Sequence, residues 1–157
     1  MKKITRLFLA TALGSIVLFA SCVKDKDKDK DNVISKKGLD LSPGQENPPV
    51  ASKASGKMDV SYNKMSKTLS FEVNWMNLSN TPTGAHIHGP APRGMNAGIK
   101  YDFFSLFPKT TSGTFSNSVV VDGVRIKEDS LLMGFYYVNI HSATFPGGEI
   151  RGQIEFK

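Results

Sequence analysis

Prolines and glycines recur through the chain from about residue 36 onward, and they leave little room for helices longer than two or three turns. Proline lacks a backbone N–H and clashes with the preceding turn of a helix, while glycine is a poor helix former. The most regular pattern in this region is a strict alternation of apolar and polar residues over 68–75. Its apolar members are Leu69, Phe71, Val73 and Trp75. This period of two is typical of a β-strand with one buried face.

Further short segments have strand character, and turn-forming residues separate them. They span residues 57–62, 84–89, 98–104, 113–121, 135–141 and 149–156. The connection at 63–66 predicts a hairpin, and the loop at 145–148 predicts that the last two strands form an antiparallel pair. Only residues 126–133 favour a turn or two of helix. Seven or eight short strands in 157 residues predict an all-β fold, a single antiparallel β-sandwich or barrel, and we favour the sandwich.

Residues 1–21 have the layout of a secretory signal peptide. A basic start with Lys2, Lys3 and Arg6 precedes an apolar run over 7–20, and small residues end the segment. The run is about 14 residues long, whereas a helix needs about 20 to cross the hydrocarbon core of a bilayer. A permanent transmembrane helix is therefore the weaker interpretation, and we expect the chain to be exported.

Cys22 is the sole cysteine, which excludes an internal disulfide and a cysteine-rich zinc module. Residues 19–22, Phe-Ala-Ser-Cys, resemble the bacterial lipobox, with phenylalanine in place of the usual leucine. In that motif the cysteine is acylated and becomes the new N-terminus, and its acyl chains hold the protein on a bilayer. Cys22 is thus the predicted lipid-attachment site of a lipoprotein, on the outer membrane and facing the periplasm or the cell surface. The alternative is an ordinary small residue at a cleavage site.

Lysine and aspartate alternate from Lys24 to Asp31, and this segment has no apolar residue to bury. Residues 22–35 are therefore predicted to be a disordered tether between the lipid anchor and a folded domain at 36–157. The signal carries three basic residues and no acidic one, so its removal halves the formal net charge from +6 to +3. No basic stripe interleaved with aromatic residues is left, and we expect no nucleic-acid partner.

All three histidines lie in two short segments with strand character. His86 and His88 are two residues apart, so they project from one face of their strand while Ile87 faces the core. His141 lies on the more polar face of its own strand. If the two strands are neighbours, three imidazoles can meet, with Glu149 or water as a fourth ligand, which suits Zn²⁺ or Cu²⁺. The alternative is that the rings hydrogen-bond to the backbone or a carboxylate and hold loops in place.

The usual sequence signals of an enzyme are missing. There is no glycine-rich phosphate loop and no Gly-x-Ser-x-Gly turn, and no base for metal-assisted hydrolysis stands out. We therefore expect no enzymatic activity, and no cofactor apart from the metal alternative.

Two charged residues outside the histidine segments also stand out. Glu46 closely precedes two prolines, so residues 45–49 are predicted to form an extended connection between the first two strands. The alternative to this purely architectural role is that an exposed Glu46 is a contact. Arg151 lies on the last strand, two residues after Glu149. We expect Arg151 to pair with a carboxylate, either nearby or at Glu72 across the sheet. The alternative is that Arg151 recognises an anion.

Three segments in order resemble the CHRD domain, which is named after chordin, a secreted antagonist of bone morphogenetic proteins. They run over 39–56, 85–91 and 137–154 and include Gln-Glu-Asn-Pro-Pro, Ala-His-Ile-His-Gly and Gly-Gly-Glu-Ile-Arg-Gly. The signature residues by this resemblance are Glu46, Pro48, Pro49, Gly89, Asn139, Gly148, Glu149, Arg151 and Gly152. The resemblance implies a β-sandwich or barrel of immunoglobulin-like character, an extracytoplasmic setting and no established enzyme activity.

The His-x-His strand and the last strand also resemble copper/zinc superoxide dismutase, another exported β-sandwich. Dismutation is excluded, because that enzyme needs more histidines than the three present and a disulfide that a single cysteine cannot form. Two hypotheses follow. The first is a non-enzymatic, lipid-anchored interaction module of the cell envelope with a protein or glycan partner. The second is a mononuclear Zn²⁺ or Cu²⁺ protein that uses His86, His88 and His141.

Overall fold

The computed structural model describes residues 32–157, which form eight strands in two antiparallel sheets with one short helix. The strands are β1 (Val33–Leu41), β2 (Ser55–Asn63), β3 (Thr68–Met76), β4 (Pro82–His88), β5 (Ile99–Asp102), β6 (Gly113–Val120), β7 (Tyr136–Ser142) and β8 (Ile150–Ile154). One sheet has the order β1-β2-β3-β6, and the other has the order β5-β4-β7-β8. The predicted all-β sandwich is confirmed. The predicted signal at 1–21, Cys22 and the Lys/Asp segment lie outside the described residues.

Local pairings agree with the hydrophobic pattern. β2 and β3 form the predicted hairpin, and β7 and β8 form the predicted antiparallel pair. The helix α1 (Glu128–Leu132) falls inside the segment that favoured helix. The part of the chain that the structure covers contains no helix long and apolar enough to cross a membrane.

The first strand begins at Val33, ahead of the domain boundary predicted at residue 36. Residues 33–35 pair with 61–63 of β2, so they belong to the sheet and not to a disordered tether. No pattern in the sequence indicated this strand, because charged side chains at Lys36 and Lys37 interrupt any apolar pattern. Charged residues are tolerated there since β1 lies at the edge of its sheet and most of its side chains are exposed. Such strands lack the alternation that identifies half-buried ones.

The core between the sheets is built from the apolar members of the alternating strands. From β3 it takes the four predicted side chains, all at most 3% exposed: Leu69, Phe71, Val73 and Trp75. From β7 it takes Tyr136, Val138 and Ile140. Full burial of an apolar side chain of this size stabilises the fold by about 1.5–3 kcal/mol. Because successive side chains of a strand point to opposite faces, the intervening residues of β7, Tyr137, Asn139 and His141, face away from the core.

Loops cover the outward face of the second sheet, so side chains there are buried although they face away from the core. The backbone N–H of Ala97 donates to the Tyr137 hydroxyl, and the amide of Gln153 donates to the carbonyl oxygens of Ala91 and Gly134. Tyr137 is 2% exposed and Gln153 is 1% exposed. We call this region, enclosed between sheet and loops, the polar layer.

Candidate metal centre

The pairing of β4 with β7 brings the three histidines together. The register sets His86 opposite Asn139, His88 opposite Tyr137 and Gly84 opposite His141. Side chains on one face of an antiparallel pair are neighbours, so the three rings share the outward face of the second sheet. One ligand nitrogen of each ring lies within 4.8 Å of the other two. The predicted meeting of the imidazoles is confirmed, whereas metal binding itself stays a prediction.

Two of the rings are oriented by backbone carbonyls. The Nδ1 atom of His88 lies 2.9 Å from the Ala97 oxygen, and that of His141 lies 3.0 Å from the Pro146 oxygen. Because a carbonyl can only accept, Nδ1 carries the proton in both rings and Nε2 keeps a lone pair. The Nε2 atom of His88 is buried and has no hydrogen-bond partner among the described residues. A buried lone pair of this kind fits a metal ion, and the Nδ1–H···O contacts are the outer bonds that metal-binding histidines make.

The third ring completes the group. His86 places its Nδ1 atom 3.1 Å from the Nε2 atom of His141. Nitrogens bound to one tetrahedral ion at 2.0–2.1 Å are about 3.3–3.4 Å apart, so this pair is already close to the spacing of two ligands. The Nε2 atom of His86 faces Asp102, whose Oδ1 atom is 3.8 Å away.

All three rings have a pKa below the ordinary value for histidine. Burial lowers the pKa of His86 and that of His88. Burial, together with a smaller effect of the two neighbouring imidazoles, lowers the pKa of His141 to about 4, although its hydrogen bond to Pro146 acts in the opposite direction. The rings are therefore neutral at pH 7, and neutral imidazole is the ligand form.

Gly84 makes room for the rings. A Cβ atom at this position would lie 2.8 Å from Cε1 of His86 and 3.1 Å from Cδ2 of His141. The imidazoles thus lie directly over a strand position that has no side chain. Only glycine leaves this space without displacing a ring.

Glu149, expected as a fourth ligand, does not join the histidines. Its side chain is 0% exposed, and its Oε1 atom accepts from Ser52 Oγ at 2.6 Å and from the N–H and hydroxyl of Ser79 at 2.8 and 2.7 Å. Burial alone would raise the pKa of Glu149, but hydrogen bonds from Ser142, Ser52 and Ser79 bring it below its ordinary value. Glu149 is a hydrogen-bonding hub that ties together loops at one end of the sandwich.

Glu46 is buried, so it is not the exposed contact that the sequence left open as an alternative. It is 7% exposed, and the Asn139 amide donates to its Oε2 atom at 3.4 Å. Burial raises the pKa of Glu46 to about 7, against the opposing effects of the Arg151 charge and the Asn139 hydrogen bond. Gly148, at a φ of 135°, lets the last loop approach this pair, since a Cβ there would lie 2.6 Å from Asn139 Oδ1 and 2.7 Å from Glu46 Oε1. The short turn at Pro43–Gln45 folds Glu46 inward over the sheet.

Arg151 lies in the polar layer and is 1% exposed. Its guanidinium carbon is 3.5 Å from the centroid of the Tyr137 ring, and His88 stacks on the same ring at 5.1 Å with 8° between the planes. Arg151 donates to the Met95 carbonyl at 2.9 Å and to the Asn96 side-chain oxygen at 3.2 Å. The prediction of a carboxylate fork is therefore wrong for the described residues.

Glu72 is out of reach of Arg151 because it lies on β3, in the other sheet. The remaining signature residues shape the backbone around the polar layer. Pro48 and Pro49 are exposed in the connection that follows β1, and Gly89 leaves β4 with a φ of 149°. At Gly152 the strands β1 and β8 approach so closely that a Cβ atom would lie 2.7 Å from the Asp40 oxygen.

Sequence reasoning missed Gly84, Asp102 and the two carbonyls of Ala97 and Pro146. One feature of the sequence could have identified Gly84. It lies two residues before the first histidine of a His-x-His pair and therefore on the same face of the strand. Asp102 is set opposite His86 by the pairing of β5 with β4, and no local pattern encodes that register.

Comparisons with known proteins agree with the resemblance noted in the sequence. A family model described as the CHRD domain matches residues 38–154. A comparison with curated proteins and one with solved structures each gave no significant match.

Proposed function

Because the chain belongs to the CHRD domain family, we propose that this β-sandwich is a lipid-anchored, non-enzymatic binding module of the cell envelope. The ligand that its geometry supports best is a single Zn²⁺ or Cu²⁺ ion at His86, His88 and His141. The observation that carries this proposal is the convergence of one nitrogen from each ring within 4.8 Å.

The donor set fits these ions. Three imidazole nitrogens are a sufficient protein ligand set for Zn²⁺ and for Cu²⁺. The side chain of His86 is 14% exposed, so a water molecule can supply a fourth ligand from the solvent side. Hydrogen bonds that fix the ring of each ligand, as at His88 and His141, raise metal affinity.

The sequence supports the anchored part of the proposal. Residues 1–21 read as an export signal, and the sole cysteine, Cys22, follows directly in a lipobox-like context. Acyl chains on Cys22 would hold the protein on the outer membrane, in the periplasm or at the cell surface. The Lys/Asp segment between Cys22 and the sandwich has the composition of a solvated tether.

Metal content tests the ligand. Residues 32–157, which contain both sheets and the core between them, are purified without a histidine tag. We expect about one equivalent of Zn²⁺ or Cu²⁺ after loading, and a fall in Tm when a chelator removes the ion, because a ligand that binds only the folded state stabilises it. Less than about one-tenth of an equivalent, with no rise in Tm on adding either ion, would contradict the metal proposal.

Membrane fractionation tests the anchor. The full chain is expected in the membrane fraction, and Cys22→Ala is expected in the soluble fraction, with Ser21→Ala as the matched control that keeps the cysteine. Retention of Cys22→Ala in the membrane would show that the lipobox assignment is wrong. A protein or glycan partner, the other expectation from the sequence, stays a prediction.

A further inference from the structure

The protons of the histidine cluster can be placed from hydrogen bonds alone. The Nδ1–H of His141 donates to the Pro146 carbonyl at 3.0 Å, so its Nε2 atom bears a lone pair. That atom lies 3.1 Å from Nδ1 of His86. The proton between the two rings therefore belongs to Nδ1 of His86, and a neutral His86 then has a lone pair on Nε2.

This placement explains the distance between His86 and Asp102. The Nε2 atom of His86 and the Oδ1 atom of Asp102 are 3.8 Å apart, too far for a hydrogen bond, although the two residues are directly paired across β4 and β5. In the metal-free state both atoms are acceptors, so no hydrogen lies between them. Asp102 Oδ1 instead accepts from the backbone N–H of Phe104 at 2.9 Å.

We propose that Asp102 is the positioning residue of the metal site. An ion could bind Nδ1 of His86 only after the proton on Nδ1 had passed to water, while Nε2 took up a proton from water, with no net change in the charge of the ring. The new Nε2–H donates to Asp102. Each of the three ligands is then fixed by an acceptor at its other nitrogen, namely Asp102 for His86, Ala97 for His88 and Pro146 for His141.

This inference rests on the proposed metal site, and its chemistry is the carboxylate–histidine–metal arrangement. The outer carboxylate keeps the ring in the ligating tautomer and increases the basicity of the ligating nitrogen. Asp102 thus contributes to affinity without touching the ion.

The test uses residues 32–157 with Zn²⁺ alone as the probe. Long-range ¹H–¹⁵N NMR reports which ring nitrogen of each histidine carries the proton. Without metal we expect His86 as the Nδ1–H form, and with Zn²⁺ as the Nε2–H form. This change shows that the ion binds Nδ1 of His86 and that an Nε2–H then faces Asp102. The contribution of Asp102 itself is measured with variants.

Variants supply the second measurement. Asp102→Asn keeps an oxygen for the Phe104 N–H but removes the charge, and we expect Zn²⁺ affinity to fall about 10- to 100-fold. Asp59→Asn is the matched control, because Asp59 also accepts a backbone N–H, from Gly38 at 2.8 Å, but lies on the other sheet.

The outcomes separate the two proposals. Zn²⁺ binding by the wild type with an unchanged His86 tautomer, or with equal affinity in Asp102→Asn, would overturn the role of Asp102 and leave the metal site standing. Failure of the wild type to bind Zn²⁺ would overturn both.

Discussion

The Nδ1 atom of His86 lies 3.1 Å from the Nε2 atom of His141, although the two residues are 55 positions apart in the chain. The contact joins neighbouring strands, β4 and β7, on the outward face of their sheet. Rings at this separation need little movement to share one ion. The sheet therefore preorganises two of the three proposed ligands before any metal arrives.

Gly84→Ala is predicted to weaken metal binding without removing a ligand. The new Cβ would lie 2.8 Å from Cε1 of His86 and 3.1 Å from Cδ2 of His141, so both rings must shift away from their present positions. We expect Zn²⁺ affinity to fall by a factor of about ten or more, since ligand sites tolerate only small displacements. Isothermal titration calorimetry measures the affinity.

Gly44→Ala is the control for this substitution, because a Cβ at Gly44 would meet no atom within 4 Å. It should leave the affinity unchanged. Equal affinity in Gly84→Ala and wild type would show that the rings over Gly84 are not the ligands.

Glu46→Gln is predicted to gain stability relative to wild type as the pH rises. Folding raises the pKa of Glu46 from 4.5 to about 7, so the folded state binds more protons than the unfolded state between these values. The contribution of Glu46 to the free energy of unfolding is therefore largest below pH 4.5 and declines through pH 7. A glutamine does not titrate, so the difference between variant and wild type should shift in favour of the variant by up to about 3 kcal/mol from pH 4 to pH 8.

Urea unfolding at both pH values measures this difference. The histidines also titrate in this range, but their contributions are common to both proteins and cancel. A difference that stays constant from pH 4 to pH 8 would mean that Glu46 is not desolvated in the folded state.

Arg151→Lys is predicted to destabilise the fold although it keeps the positive charge. Lysine cannot lie flat on the Tyr137 ring and bond to Met95 and Asn96 at once, and the site is almost fully buried. We expect a loss of about 2–3 kcal/mol in the free energy of unfolding, measured with urea.

The matched substitution is Arg125→Lys, at a side chain that is 62% exposed and bound to Asp122. It should change the free energy of unfolding by less than about 0.5 kcal/mol. Similar effects at the two positions would argue against the packing role of Arg151.

The sequence predicted those features of the fold that follow from the two-residue period of a β-strand. Alternation located β3, and two-residue spacing placed His86 and His88 on one face with Ile87 in the core. These features follow from strand geometry alone, because successive side chains point to opposite faces.

What the sequence did not predict depends on register and loop closure. Asp102 reaches His86 only because β5 pairs with β4 at that register, and Glu46 is buried only because the loop after β1 folds over the second sheet. Two hydrogen-bond partners of Arg151, Met95 and Asn96, are on a loop more than fifty residues earlier, at separations of 56 and 55 positions. Such contacts are set by the assembled sandwich, and no short-range pattern encodes them.

X-ray absorption spectroscopy of the Zn²⁺-loaded domain tests the central claim most directly, because it counts and identifies the ligands of the ion. The account predicts three imidazole nitrogens at about 2.0–2.1 Å and one further light ligand. Loss of an imidazole contribution in His88→Ala, whose Nε2 atom is the buried nitrogen without a partner, would identify the site. A zinc ion surrounded by oxygen ligands, or by fewer than three imidazoles in the wild type, would contradict the account.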